Sequence, residues 1–210
     1  MLLNWINRKR HARGFGVHSP FAFQLITDVI YGKHGYYAFL DNEQILMENG
    51  IELIDFKLQR LSHRLVRRFK PAKVLEIGSN NNINTLYIAS ALENGKCHCM
   101  TNDTRDSSLA RCLHESYGNN IEFVNHTGTD SKYDAIFIDL QEDIPVGTPE
   151  KLFSISSDHC FWVVSGINSR AGKQFWRNLV IMEKARITFD MKDIGIVILD
   201  RQFKKRHYLI

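Results

Sequence analysis

The sequence lacks any apolar run long enough to cross a bilayer. Apolar runs such as 135–138 and 194–199 (interrupted by Gly195) are short, whereas a transmembrane helix needs about 20 apolar residues. The amino terminus begins apolar and turns basic at Arg8, which reverses the order of a signal peptide. We therefore expect a cytoplasmic protein with no membrane partner.

Cysteine is scarce, and the four residues Cys97, Cys99, Cys112 and Cys160 form no CxxC pair. This pattern predicts reduced, partly buried thiols. The Cys97-His98-Cys99 triplet resembles a metal-binding pattern, but alternation along a strand places the two cysteines on one face and His98 on the other. That arrangement favours core packing over a zinc site.

Histidine motifs and nucleophile motifs are also missing. The nine histidines form no HxH, HxxxH or HExxH pattern, and the sequence contains no nucleophile elbow. Zinc-protease and serine-hydrolase chemistry therefore have little support.

What is present is an ordinary globular composition. The chain has 210 residues, of which 44% are hydrophobic and 24% charged, which excludes a disordered or collagen-like chain. Residues 1–73 contain 12 Lys and Arg against 6 Asp and Glu, whereas the rest contains 15 against 17. The basic first third indicates either an anionic partner or a solvated face.

The sequence pattern changes near Pro71, and before that residue it is helical. Ser19-Pro20 predicts a helix start, with Ser as the cap and Pro at the first helical position, and this helix runs to about residue 30. A short helix follows from residue 41 and a longer one spans 51–69. The long helix has an apolar face and a basic face, formed by Ile54, Leu58, Leu61 and Leu65 and by Lys57, Arg60, Arg64 and Arg67. We expect residues 1–70 to be a helical extension that packs on a main domain at 71–210, and the basic face to be solvated.

After Pro71, β-rich runs alternate with helical stretches. Strands are predicted at 73–78, 96–101, 121–125, 133–139 and 160–164, helices at 83–92, 107–117, 149–156 and 172–182, and a hairpin at 186–191 and 194–200. This alternation predicts an α/β fold with a parallel sheet covered on both faces. The closing hairpin adds an antiparallel strand at one edge.

Three segments carry a family resemblance. Residues 74–89, VLEIGSNNNINTLYIA, resemble the first motif of class I S-adenosylmethionine (SAM)-dependent methyltransferases, whose O-methyltransferase-like branch has E-x-G-T-x-x-G-x-S-T. Residues 133–139, YDAIFID, resemble the fourth strand of that branch. Residues 13–21, RGFGVHSPF, resemble a segment that precedes this domain in some bacterial methyltransferase-like proteins. The resemblance implies a Rossmann-like fold over 71–200, with a seven-stranded, mostly parallel sheet and an antiparallel last strand.

The resemblance also implies a cofactor site. In the family, glycines let the first strand turn sharply into a helix close to SAM. Here Gly78 is kept, Asn82 stands at the second glycine position, and Asn84 replaces a serine. The candidate cofactor-binding residues are Glu76, Gly78, Ser79, Asn82, Asn84, Asp103 and Asp139. The alternative is a strand–turn–helix that binds no ligand.

Two acids occupy informative positions. The family's second strand ends on an acid that binds the ribose hydroxyls, but the aligned position here is Thr101 or Asn102, and Asp103 follows late; Asp103 can equally cap the next helix. In metal-using members, the acid at Asp139 pairs with an Asp-Asn that is Ser165-Gly166 here. Magnesium needs several hard oxygens, so we expect no catalytic metal. Asp139 then either meets the ligand or substrate or caps its strand.

The catalytic candidates are Asp139 and His18, which the resemblance places near the site as a general base; the alternative for His18 is a bond to its own turn. His126 follows the third predicted strand, near the rim of the crevice in which a ligand would bind. The leading hypothesis is a SAM-dependent methyltransferase that acts on an oxygen or nitrogen of a small molecule, with a second copy of the chain as a candidate partner in a homodimer. The alternatives are an inactive scaffold of the same fold, and a nucleic-acid binder through the basic first third, which lacks a recognised nucleic-acid motif.

Overall fold

The computed structural model describes residues 8, 10–53, 55–78, 82–100, 108–125, 132–141 and 147–210. The first part is helical, with α1 (Pro20–Gln24), a π-helical continuation π1 (Leu25–Ile30), α2 (Tyr37–Glu48) and α3 (Lys57–Phe69). At the start of α1, the Ala22 amide donates to Ser19 Oγ and Pro20 is the first helical residue. The predicted start of this helix is therefore confirmed.

Two helix starts differ from the prediction. Helix α2 begins at Tyr37 rather than at residue 41, and α3 begins at Lys57 rather than at residue 51; Ile54 lies outside the described residues. Just before α3, Phe56 is 2% exposed and packs near the Tyr87 ring. Phe56 is thus a core residue that precedes the helix, and apolar spacing alone did not locate the helix start.

The second part alternates strands and helices. Its elements are β1 (Lys73–Ile77), α4 (Ile83–Ala89), β2 (Lys96–Met100), α5 (Ser108–Tyr117), β3 (Ile121–Phe123), β4 (Tyr133–Asp139), α6 (Pro149–Ser154), β5 (Ser156–Ser165), α7 (Arg170–Ile181), β6 (Ile187–Asp190), β7 (Ile194–Ile198) and β8 (Arg206–Leu209). The strand order in the sheet is β3-β2-β1-β4-β5-β7-β6-β8. Strands β1 to β5 run parallel, and β7 is antiparallel to both β5 and β6.

The α/β class and the central position of β4 are confirmed, and two details are corrected. The antiparallel strand β7 lies between β5 and β6 instead of at an edge, because its apolar run needs cover on both sides. The sheet has an eighth strand, β8, which pairs in parallel with β6. Its exposed Arg206 and His207 suit the edge of a sheet, and this short, charged segment gave no strand signal in the sequence.

Each face of the sheet is covered by helices. Leu61 and Leu65 of α3 pack with Val74 and Phe137 on one face, together with residues of α1 and π1. On the other face, helices α6 and α7 cover Ile136 and its neighbours. None of the described helices is long and apolar enough to cross a membrane. The division of the chain at residue 70 into an extension and a domain stays a prediction.

Candidate functional site

The turn between β1 and α4 keeps the backbone geometry that the first motif requires. Gly78 has φ 81°, and its amide donates to the Met100 carbonyl at 3.0 Å. Asn82, at the cap position of α4, has φ 59° and ψ 14° and is fully buried. Because a left-handed residue is normally Gly, with Asn next in tolerance, Asn82 preserves the turn that its glycine counterpart would make. The predicted candidate Ser79 lies outside the described residues.

Glu76 anchors the elements that surround this turn. Its side chain is buried, and Oε1 accepts a hydrogen bond from Asn84 Nδ2 at 2.8 Å. Its Oε2 accepts from Thr85 Oγ1 at 2.6 Å and from Cys99 Sγ at 3.7 Å. The carboxylate also lies beside the first turn of α4, where negative charge is favourable. Glu76 thereby ties β1 to α4 and β2.

The two strand cysteines extend this cluster into the core. Cys97 Sγ and Cys99 Sγ lie 3.6 Å apart, both fully buried, and each is within 4.8 Å of a Glu76 oxygen. Hydrogen bonding to Cys97 together with burial raises the pKa of the Cys99 thiol well above its usual value. A protonated thiol donates a hydrogen bond, whereas a metal ligand must be a thiolate. His98 points to the other face and bonds to the Tyr133 hydroxyl at 3.0 Å, which confirms the predicted alternation.

Asp139 and Ser165 lie side by side at the ends of β4 and β5. Asp139 Oδ1 accepts a hydrogen bond from the Gln141 amide at 3.0 Å, so one oxygen caps the strand end. Ser165 Oγ donates to the Ile138 carbonyl at 3.3 Å. One carboxylate beside one hydroxyl is a poor set of ligands for magnesium, which prefers several oxygens in octahedral geometry.

These strand ends surround one cleft. Four predicted cofactor residues line it together, namely Glu76, Gly78, Asn84 and Asp139. Leu58 and Gln59 of α3 also line it, and among the described residues its volume is about 50 Å³, compared with about 300–1,000 Å³ for typical small-molecule sites. Neither α3 residue was among the predicted site residues. Leu58 has the spacing of a core position, and nothing in the sequence places α3 against the strand ends.

The remaining predicted residues are not brought to this cleft. His18 lies instead in a groove at the opposite edge of the sheet, beside Ile187 at the start of β6 and Arg206 at the start of β8. The expectation that His18 lies near the site is therefore corrected. The segment that contains His18 lies alongside β8. In the sheet, β4, β5, β7 and β6 lie between β8 and β1. Thr101, Asn102, Asp103 and His126 lie outside the described residues.

The basic face of α3 is solvated in part, since Lys57 and Arg67 are exposed as expected, whereas Arg60 and Arg64 are half-buried. Its four cationic side chains all have intramolecular partners: Lys57 with Asp55, Arg60 with Glu43, Arg64 with the carbonyls of Val29 and Ile30, and Arg67 with Glu93. Arg64 closes the end of π1 in this way, at 2.6 Å and 3.1 Å. The contacts of Arg60 and Arg64 hold α3 to α2 and to π1, whereas the pairs of Lys57 and Arg67 lie at the surface and contribute little energy.

Solved structures with this architecture are methyltransferases. A methyltransferase from Geobacter sulfurreducens superposes with a TM-score of 0.57 at 17% identity, and the match covers 79% of this chain and 90% of that chain. The fold is that of the class I methyltransferases. The O-methyltransferase from Bacillus cereus, solved in complex with SAH, gives a TM-score of 0.55 at 15% identity over 83% and 96% of the two chains. SAH-bound Podospora anserina methyltransferase PaMTH1 gives 0.58 at 12% identity over 87% and 97%.

The likeness lies in structure rather than in sequence. No protein-family model matches the chain, and no curated protein matches it. The TM-scores of 0.58 and 0.57 establish a common fold. At identities of 12% and 17%, the chemistry must be argued from the site.

Proposed function

We propose that the protein is a SAM-dependent methyltransferase that acts on an oxygen or nitrogen of a small molecule. The observation that carries this proposal is the left-handed Asn82 at the start of α4. A chain that had lost the need for the turn would have no reason to keep a fully buried residue in this uncommon conformation. Gly78, also at positive φ, supports the same conclusion.

The described residues fit the cofactor at the turn and only in part at the cleft. Gly78 and Asn84 line the cleft beneath the turn, and Asp139 lies across it at the end of β4. The cleft of about 50 Å³ among described residues is smaller than a nucleoside-sized ligand requires.

Bound SAM supplies an electrophilic methyl group that an oxygen or nitrogen attacks in line. The chain's own contribution is to orient the acceptor and to receive its proton. Asp139 is the candidate proton acceptor, since the Gln141 amide holds one of its carboxylate oxygens in place. With Ser165 beside it, we propose that transfer needs no divalent metal, so activity should survive a chelator.

The second candidate function is a binding or scaffold protein that keeps the fold without catalysis. The observation that favours it is the small volume of the cleft, about 50 Å³ among the described residues. Nucleic-acid binding is the third candidate, and the pairing of the α3 cations weighs against it. A cytoplasmic location and a homodimer remain predictions.

Calorimetric titration with SAM and with S-adenosylhomocysteine (SAH) tests the proposal. Micromolar binding of either ligand supports it, and Asp139→Ala should then reduce methyl transfer far more than Asp158→Ala, an exposed acid on β5. Absence of heat and of any thermal shift at millimolar concentrations of both ligands would reject cofactor binding and leave the scaffold function.

A further inference from the structure

A second concave site lies at the edge of the sheet opposite the cleft. It is a groove of about 470 Å³ between the segment that precedes α1 and the segment that leads into β8. Its lining residues are Gly16, His18, Ser19, Ile187, Gln202, Phe203, Lys204, Arg206 and Tyr208. Ile187 and Arg206 are register partners at the first positions of β6 and β8. None of the residues that line the groove also lines the cleft.

Strand alternation explains which side chains enter the groove. Lys204, Arg206 and Tyr208 are two residues apart and share one face of the extended chain. The intervening side chains point elsewhere: Lys205 Nζ donates to the Met182 carbonyl, and His207 Nδ1 bonds to Thr188 Oγ1 at 2.8 Å. Two cationic groups therefore line one wall.

These cations have no counter-charge. Within the described part of the chain, neither Lys204 nor Arg206 takes part in an ion pair or a side-chain hydrogen bond, and the groove lining contains no acidic residue. This differs from Lys57, Arg60, Arg64 and Arg67 of α3, which all have partners. Two like charges on one wall repel each other, and an oxyanion placed between them would relieve that repulsion and accept charge-assisted hydrogen bonds.

The groove has an apolar floor, and the wall that faces Lys204 and Arg206 is polar. Ile187 and Tyr208 are buried at its floor, and the Phe203 ring is stacked on the Phe21 ring with centroids 4.3 Å apart. The facing wall contributes His18 and Ser19. The groove thus combines a cationic wall with a rigid apolar floor.

We propose that this groove is a second ligand site, which binds a small organic anion: a phosphate or carboxylate carried on an apolar body. The anionic group lies between Lys204 and Arg206, and the apolar body covers Phe203 and Ile187. The site is independent of methyl transfer, so it stands or falls separately from the proposed function.

Titrations followed by NMR or calorimetry test the proposal, with phenyl phosphate, benzoate and inorganic phosphate as probes. Phenyl phosphate or benzoate should bind saturably, and the stronger of the two identifies the head group. Inorganic phosphate should bind more weakly than phenyl phosphate, because it lacks the apolar body. Lys204→Ala and Arg206→Ala should each weaken binding about tenfold, the usual size of a charged hydrogen bond, and should leave SAM affinity unchanged.

Lys205→Ala is the matched control, since it removes the same charge from the adjacent position on the other face. Its affinity should stay within about twofold of the parent, as expected for a screened surface charge. Circular dichroism checks that each variant is folded; if Arg206→Ala is not, Lys204→Ala and Lys204→Gln decide.

Three outcomes would overturn the proposal. One is absence of saturable binding of both aromatic probes at millimolar concentration. Another is an equal loss of affinity in Lys204→Ala and Lys205→Ala, which would show only diffuse charge. The third is tighter binding of a single-stranded oligonucleotide with steep salt dependence, which would identify a nucleic-acid surface instead.

Discussion

Helix α4 is held at its two ends by two different buried polar groups. At its amino end, the Glu76 carboxylate accepts hydrogen bonds from Asn84 and Thr85. At its carboxyl end, His63 Nδ1 of α3 lies 3.2 Å from the Tyr87 carbonyl and 3.2 Å from Ser90 Oγ. His63 thereby meets a terminal carbonyl that has no partner within the helix, whereas Glu76 binds side chains of the first turn.

The surroundings of the two ends differ. Glu76 lines the candidate cofactor cleft. His63 is packed against the rings of Tyr36 and Phe39, with centroids 5.0 Å away in both cases, and burial lowers its pKa to about 4. The first group therefore belongs to the candidate site, whereas the second belongs to the packing between the amino-terminal helices and the sheet domain. One helix thus connects the candidate cleft to the packing of the amino-terminal helices.

The largest expected effect is at Glu76. Glu76→Ala leaves three buried donors without their acceptor and opens a cavity, so the free energy of unfolding should fall by about 4 kcal/mol. Glu76→Gln keeps one acceptor oxygen and should cost about half as much. Urea denaturation measures both. The control is Glu93→Ala, since Glu93 pairs at the surface with Arg67 and Lys70 and its loss should change the free energy of unfolding very little. Equal losses at Glu76 and Glu93 would contradict the anchoring role of Glu76.

The second effect is a pH dependence at the His63 end. The folded-state pKa of His63, about 4, lies below its ordinary value of 6.5, so the unfolded state binds the proton more readily. The stability that neutral His63 contributes is complete above about pH 6.5 and is lost as pH falls towards 4, by up to about 3 kcal/mol.

His63→Phe should remove this part of the pH dependence. Burial also lowers the pKa of His98 and of His207, so the informative quantity is the difference between the parent and the variant in urea denaturation from pH 4 to pH 8. Parallel stability curves for the two proteins would refute the prediction.

Ser90→Ala should have a smaller effect at the same end of α4. Ser90 Oγ accepts from Asn42 Nδ2 at 2.9 Å and lies within hydrogen-bond distance of the Tyr87 carbonyl. Its loss should cost about 1–2 kcal/mol, since a buried donor is left without a partner. Ser154→Ala is the matched control: Ser154 occupies an exposed helix end and bonds to the Lys151 carbonyl, and thermal denaturation should show almost no change for it.

The smallest effect on stability is expected at Asn82, where the effect on function is the point of interest. Asn82→Ala places an ordinary side chain at φ 59° and should cost about 1 kcal/mol, whereas Asn82→Gly should be close to neutral. Calorimetry should show unchanged or tighter SAM binding for Asn82→Gly. If that variant binds SAM and the parent does not, the parent is a lapsed enzyme.

Local sequence signals predicted much of the sheet. The bounds of β4 agree with the prediction at both ends, where a buried apolar run at 135–138 is closed by an acid. The left-handed turn at Asn82 followed from the tolerance of Asn for positive φ. Strand β8 was missed, since a four-residue charged segment has no periodicity of its own and becomes a strand only by pairing with β6.

Some residues of the candidate site could likewise be predicted from local sequence, whereas others could not. Glu76, Gly78 and Asn84 lie within nine residues of one another on a strand–turn–helix, so the sequence alone brings them together. Leu58 and Gln59 reach the same cleft from another helix, and His18 leaves it for the far edge of the sheet. No local pattern contains that information, because it depends on how α3 and the preceding segment pack.

The sequence by itself thus determined the alternation of strands and helices, the β1–α4 turn and the side of β2 that faces the core, because each depends on periodicity and backbone tolerance over a few residues. Only the tertiary structure decided that α3 lines the cleft and that β7 inserts beside β5. It also decided which cations have partners: within the described part of the chain, four on α3 do, whereas Lys204 and Arg206 do not. Such features arise from contacts between residues far apart in the chain, and their energies depend on burial and counter-charges that exist only after the chain has folded.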